Sequence, residues 1–140
     1  MLNIKDKKTL SIILPCYNEA ENIIHIKNKI LEQIDKLQMD YELIFIDDGS
    51  TDGTKEILNK LHKKNKKLKA ISFSKNFGHQ AAIIAGLQYA KGDAVIMMDA
   101  DLQHPPELIP KIINEWKKGY DIVNTIRKKG KENIFKRITS

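Results

Sequence analysis

The chain has 140 residues, a single Cys and a net charge of +6 at pH 7. This length allows one domain with a substantial core, and the ordinary share of apolar and charged residues excludes disordered and collagen-like classes. Cys16 has no partner for an internal disulfide, residues 1–8 lack the apolar region of a signal peptide, and no window reaches the roughly 18 apolar residues of a membrane span. The sequence therefore predicts a cytoplasmic domain that is soluble or peripheral to a membrane.

Short apolar segments alternate along the chain with segments of helical period. Strands are predicted over residues 9–15, 41–47, 68–74, 93–99 and 120–126. Helices are predicted over 19–37, after the DGSTDGT turn, over 79–90, and over 106–118 with Gly119 as the end. Alternation of strands and helices, with strands apolar on both faces, predicts an α/β fold with a mostly parallel sheet flanked by helices.

Most of the positive charge is carried by Lys, which is concentrated in two segments. Residues 60–69 (KLHKKNKKLK) fit a solvated helix end and turn. In residues 127–137 (RKKGKENIFKR), Ile134 and Phe135 lie between cations. This second segment fits either a solvated tail or a surface that lies on anionic lipid.

Polar residues follow all five predicted strands. They are residues 16–19, 47–50, 75–78 and 99–101, and Arg127. Ligands of parallel sheets bind beyond the carboxyl ends of the strands, so these residues predict one composite site there.

The segment MDADLQ places two acids and an amide at two-residue steps after the fourth strand. On an extended backbone, Asp99, Asp101 and Gln103 face the same way. A set of oxygen donors suits Mg²⁺ or Mn²⁺. The alternative is a pair of helix caps or a salt-bridged turn before residues 106–118.

The other strand ends have weaker signals. Asp48 is placed to accept hydrogen bonds from a ribose or base, whereas helix capping explains part of residues 50–52. Glu19 also fits the first turn of a helix. Lys75 and Asn76 precede a helix start marked by glycine, a place suited to phosphate.

Two further residues fit structural roles. A lone His79 is more often structural or solvent-facing than catalytic. Cys16 lacks an evident His–Asp partner set and is predicted to be a buried residue at a strand end.

Four motifs in fixed order resemble glycosyltransferase family 2, and more closely its polyprenyl-phosphate glycosyltransferases and dolichyl-phosphate mannose synthase relatives. They are PxYNE (15–19), DDGSTDGT (47–54), SKNFGHQAA (74–82) and MDADLQHPPELI (98–109). The resemblance implies a GT-A fold with a Rossmann-like nucleotide-binding half. It also implies inverting transfer of a sugar from a UDP- or GDP-sugar to a polyprenyl phosphate at the inner membrane face, with Mg²⁺ or Mn²⁺ and without nucleic acid.

The resemblance also implies residue roles. The nucleotide sugar would contact Pro15, Tyr17, Asn18, Glu19, Asp48, Lys75, Asn76, Gly78 and Asp99. The metal would be held by Asp99, Asp101 and Gln103, and the acceptor phosphate by Arg127, Lys136 and Ser140. Asp99, Asp101 and Arg127 would be the catalytic residues. Residues 1–126 would form the nucleotide-sugar-binding region, and 127–140 a basic segment facing acceptor and membrane.

Members of this subfamily continue past a segment like FKRITS, so the chain is expected to be an amino-terminal part of the enzyme, with its own activity in question. The alternative is a non-catalytic module that binds nucleotide or membrane. A haloacid-dehalogenase-like phosphotransferase is disfavoured because its acid pair follows the first strand, with Thr or Val where Gln103 stands. An exposed sheet edge predicts a homo-oligomer.

Overall fold

The computed structural model describes residues 7–127 and 133–138. The strands are β1 (Thr9–Cys16), β2 (Asp40–Asp47), β3 (Leu68–Ser72), β4 (Ala94–Met97), β5 (Ile122–Arg127) and β6 (Asn133–Ile138). The helices are α1 (Ile23–Ile34), α2 (Thr54–Lys64), α3 (His79–Tyr89) and α4 (Ile109–Lys117), and a short 3₁₀ turn at Pro106–Leu108 precedes α4.

Four strands form a parallel sheet in the order β3-β2-β1-β4. β1 pairs with β2 from Thr9 opposite Asp40 to Cys16 opposite Asp47, so the carboxyl ends of the two central strands are level. The predicted parallel sheet flanked by helices is confirmed.

The fifth strand does not belong to this sheet. β5 pairs antiparallel with β6, with Ile122 opposite Ile138 and Arg127 opposite Asn133. The expectation that all five strand ends meet at one edge is therefore wrong for β5. A segment nearby in the sequence, Asn133–Ile138, supplies the backbone hydrogen bonds of β5 in place of the sheet edge.

The core lies on both faces of the sheet. On one face, a cluster joins residues of β1 and β2 to α1, α2 and α4, and its buried members include Leu10, Ile12, Leu14, Ile26 and Ile113. On the other face, Ile13, Ile44 and Ile46 pack against Ala82 of α3. Burial on both faces explains why β1 and β2 are continuous apolar runs in the sequence.

Helix α3 lies very close to the sheet. A Cβ atom on Gly86 would lie 2.4 Å from Cγ2 of Ile13, so only glycine allows this approach. The contact holds the amino terminus of α3 near the carboxyl end of β1.

A buried polar cluster joins the strands at their other ends. Glu42 accepts hydrogen bonds from the Ser11 hydroxyl at 2.5 Å and the Lys91 N–H at 2.7 Å, and it pairs with Lys69. Ser11 in turn accepts the N–H of Gly92 at 2.8 Å. The cluster connects β1, β2, β3 and the loop before β4.

The predicted element boundaries differ most at α1. The apolar period extends over 19–37 but the helix spans Ile23–Ile34, because residues before it form a turn in which the Glu19 carbonyl accepts the N–H groups of Asn22 and Ile23. Gly119 has φ +101° and follows Lys118, the cap residue of α4, which confirms the predicted helix end. Among the described residues, no helix has the length and apolar character needed to cross a membrane.

Candidate functional site

A pocket of about 510 Å³ opens at the carboxyl ends of the parallel strands, beside the first turn of α3. Its lining residues are Pro15, Cys16, Tyr17, Glu19, Asp48, Asn76, Gly78, His79, Ala82, Asp99, Ala100 and Asp101. Residues that follow β1, β2, β3 and β4 thus meet in one cavity, at the place where the sequence predicted a composite site. Its volume lies within the range of small-molecule sites.

The loop after β1 is locked to the turn after β2. Asn18 has φ +51°, and its side-chain oxygen accepts the N–H of Thr51 at 2.8 Å. The N–H of Asn18 donates to Ser50 Oγ at 2.9 Å, and the N–H of Glu19 donates to Thr54 Oγ1 at 3.0 Å. Asn18 does not line the pocket, so its contact with nucleotide stays a prediction.

Asp48 fixes the loop that leads into α3. Its Oδ1 accepts the N–H of Phe77 at 2.7 Å, and its Oδ2 accepts the N–H of Gly78 at 3.0 Å. Gly49 has φ +72°, and a Cβ there would lie 2.3 Å from the carbonyl carbon of Lys75. The two loops therefore interlock, and Asp48 both lines the pocket and holds one of its walls.

The loop that carries the two acids is not extended. β4 ends at Met97, residues 100 and 101 lie in a turn, and Leu102 has φ +66°. Asp101 Oδ1 accepts the N–H of Gln103 at 3.0 Å. This hydrogen bond from side chain to backbone stabilises a local turn in place of an extended backbone. The predicted extended backbone is wrong here. Asp99 and Asp101 nevertheless line the pocket, whereas Gln103 does not.

Two histidines flank the Asp99 carboxylate. His79 Nε2 lies 3.6 Å from Oδ1, and His104 Nδ1 lies 3.5 Å from Oδ2. His104 Nδ1 also accepts the Asp99 N–H at 3.0 Å, which closes the loop. From the sequence, His79 was expected to be structural or solvent-facing, and His104 was not among the candidate site residues. The available signal for His79 was its position directly after Gly78, at a helix start beyond a strand end.

Comparisons with known proteins decide the family. The model described as Glycosyl transferase family 2 matches residues 11–140. The chain belongs to this family.

This family 2 chain is similar to longer bacterial proteins. It is 46% identical over 131 residues to the uncharacterized glycosyltransferase YkcC of Bacillus subtilis (strain 168), covering 93% of this chain and 41% of that protein. It is 39% identical over 140 residues to the undecaprenyl-phosphate 4-deoxy-4-formamido-L-arabinose transferase of Aeromonas hydrophila, covering 99% and 43%. The chain thus spans about two fifths of the length of these curated relatives.

A solved structure supports the same relationship. Mannosyltransferase PcManGT from Pyrobaculum calidifontis, in complex with GDP-Man and Mn²⁺, is 29% identical, with a TM-score of 0.57 over 68% of this chain and 28% of that one. The parallel sheet flanked by helices in this family 2 chain is the arrangement of its GT-A glycosyltransferase neighbours.

Lys75 does not line the pocket. Its ammonium group lies 5.1 Å from the centroid of the Phe77 ring, and Phe77 meets Phe73 edge-to-face with centroids 5.6 Å apart. The predicted phosphate contact of Lys75 stays a prediction.

Cys16 is one of the lining residues of the pocket, and only 4% of its surface is exposed. Burial, followed by the nearby carboxylates of Asp47 and Glu19, raises the pKa of its thiol well above the ordinary value. The thiol is therefore protonated at neutral pH, which agrees with the predicted role of a buried strand-end residue.

The predicted acceptor residues fall on or beyond the β5–β6 ribbon. Arg127 is the last residue of β5, and Lys136 lies in β6 opposite Asn124. Ser140 lies outside the described residues. Their roles stay predictions.

The acids of the pocket fit a divalent cation of the Mg²⁺ or Mn²⁺ type. Asp99 and Asp101 supply carboxylates from one loop into one cavity. Within residues 7–127 and 133–138, no group of three or more His, Cys, Asp or Glu side chains surrounds a common point. The two pocket carboxylates are the number that a Mg²⁺ site takes from protein when water and substrate phosphates supply the other ligands.

Proposed function

We propose that this chain binds a nucleoside-diphosphate sugar together with Mg²⁺ or Mn²⁺ in the pocket. We further propose that it is the donor-binding part of an inverting glycosyltransferase that moves a sugar to a polyprenyl phosphate. The observation that carries the proposal is that Asp99 and Asp101 share one cavity with Pro15, Tyr17 and Asp48 at the carboxyl ends of a parallel sheet.

The charge of the pocket explains why a cation is needed. Glu19, Asp48, Asp99 and Asp101 all line it, so a diphosphate would meet like charge. Bound at Asp99 and Asp101, a divalent cation would supply Lewis-acid neutralisation of the departing diphosphate.

The residues that we place near the base and sugar contribute by orienting the donor. Pro15, Tyr17 and Glu19 form one wall of the cavity, and Asn76 and Gly78 form another. Asp48 holds the second wall through the two backbone N–H groups described above. A rigid cavity of this kind orients the donor, which is the main contribution expected of the protein in such a transfer.

The acceptor requires no strong base. A phosphate monoester has a second pKa of about 6, so it is largely dianionic near neutral pH and is itself a nucleophile. Attack on the anomeric carbon from the side opposite the leaving diphosphate gives inversion. We assign Arg127, Lys136 and Ser140 to the acceptor phosphate, and residues 127–140 to the surface of the inner membrane face.

The relatives support the two substrate classes. The Aeromonas hydrophila protein is named for undecaprenyl phosphate, and PcManGT was solved with GDP-Man and Mn²⁺. We also propose self-association through the β4 side of the sheet, where Val95 and Met97 are 41% and 52% exposed. Light scattering that shows a monomer at high concentration would contradict that part.

Isothermal titration of the chain with UDP and GDP, with and without Mn²⁺, tests the proposal. We expect binding of one of the two nucleotides, strengthened by Mn²⁺. In Asp101→Ala, the Mn²⁺-dependent gain should be lost, whereas Asp35→Ala, an exposed acid at the end of α1, should behave as the parent. Binding that is the same in Asp101→Ala and in the parent would contradict the metal role.

A further inference from the structure

We propose that His79 is a diphosphate-binding residue of the pocket. This inference rests on the proposed function, because it assigns one side chain to one part of the donor. The sequence favoured Lys75 for an anionic group, but the structure directs that side chain to the Phe77 ring.

The composition of the pocket singles out His79. Four lining side chains are acids, and His79 brings a ring nitrogen beside one of them, the Asp99 carboxylate. An imidazole whose Nε2 carries the proton donates an N–H at that position. This N–H is the donor that we assign to a phosphate oxygen.

The position of His79 leaves its imidazole accessible. Nε2 lies 3.6 Å from Asp99 Oδ1, longer than a hydrogen bond of about 2.7–3.2 Å, and 56% of the side chain is exposed. The Asp99 carboxylate thus lies beside Nε2 without a hydrogen bond of normal length.

The position of His79 beside Asp99 also indicates which part of the nucleotide sugar His79 would contact. A cation held by Asp99 and Asp101 would lie on the diphosphate, and His79 is within 3.6 Å of one of these carboxylates. The diphosphate oxygens therefore come within reach of Nε2. Removing His79 should weaken binding of the diphosphate but not of the nucleoside.

The experiment compares dissociation constants for a nucleoside diphosphate and for its nucleoside, both with Mn²⁺ and on the same preparation. The variants are His79→Ala, His79→Gln, which keeps an N–H donor, and His25→Ala, an exposed histidine on α1, as the control. Because the result is a ratio of two constants, a partly misfolded preparation does not distort it.

We expect His79→Ala to bind the diphosphate at least about tenfold more weakly with unchanged nucleoside binding, as for loss of a hydrogen bond to a charged group. His79→Gln should recover part of the loss, and His25→Ala should match the parent. An unchanged ratio in His79→Ala, or equal weakening of both ligands, would overturn the inference alone. Failure of the parent to bind any nucleoside diphosphate would overturn the proposed function and the inference with it.

Discussion

Replacing Glu42 with Ala removes the acceptor at the centre of the buried cluster that joins β1, β2 and β3. Glu42 is 6% exposed and Ser11 is fully buried. The substitution leaves the Ser11 hydroxyl and the Lys91 N–H without their acceptor, and it leaves Lys69 without its partner.

The cost follows from these lost contacts. A buried donor left without an acceptor costs about 1–3 kcal/mol, and breaking a buried ion pair by removing one partner costs about 3–5 kcal/mol. Lys69 is partly exposed and recovers water, so we expect a total loss of about 3 kcal/mol. This is a large share of the roughly 5–15 kcal/mol that stabilises a domain.

Urea unfolding followed by circular dichroism measures the change in the free energy of unfolding. Asp40→Ala is a matched control, since Asp40 lies two residues earlier on β2 and pairs with Lys67, but with both side chains about half exposed. That pair should contribute no more than about 1 kcal/mol. Equal losses in the two variants would refute the reasoning that burial makes the Glu42 cluster important.

Three further predictions follow from the same geometry. Burial opposes the charged form of Glu42, but its three hydrogen bonds hold the pKa below the ordinary value of 4.5. Its stabilisation is present above that value and lost as pH falls through the lower folded pKa, so unfolding below about pH 4.5 should depend less on pH in Glu42→Ala than in the parent. The Cys16 thiol, whose pKa is raised, should react with a thiol reagent at about pH 8 only after urea unfolding; rapid labelling of the folded chain would contradict its burial. Gly49→Ala should lower the free energy of unfolding by at least about 2 kcal/mol, because a Cβ at positive φ would also meet the backbone of Lys75; a loss below about 0.5 kcal/mol would contradict the interlocked loops.

The sheet was predictable because its strands are apolar on both faces. Burial of Ile12 and Ile13 on opposite sides of β1 leaves no polar alternation, and this pattern requires helices on each face. The location of the site followed from the same reasoning, since parallel strands bring their carboxyl ends to one edge.

The conformation of the loop after β4, the pairing of β5 with β6 and the position of His79 were not predictable from the sequence in this way. A two-residue step predicts a shared face only on extended backbone, and the hydrogen bond from the Gln103 N–H to Asp101 competes with that conformation. The basic residues of 127–137 fitted a tail, whereas the pairing of β6 with β5 depends on contacts between two separate segments of the chain. His79 was judged by its isolation in sequence, but its proximity to Asp99 depends on how α3 packs against β1.

The central claim is that the acids after β4 hold a divalent cation against the diphosphate of a nucleotide. The most direct measurement is the Mn²⁺ dependence of UDP or GDP binding in the parent chain and in Asp101→Ala, by isothermal titration. Mn²⁺ should strengthen binding in the parent and have no effect in Asp101→Ala. The same Mn²⁺-dependent gain in both proteins would contradict it.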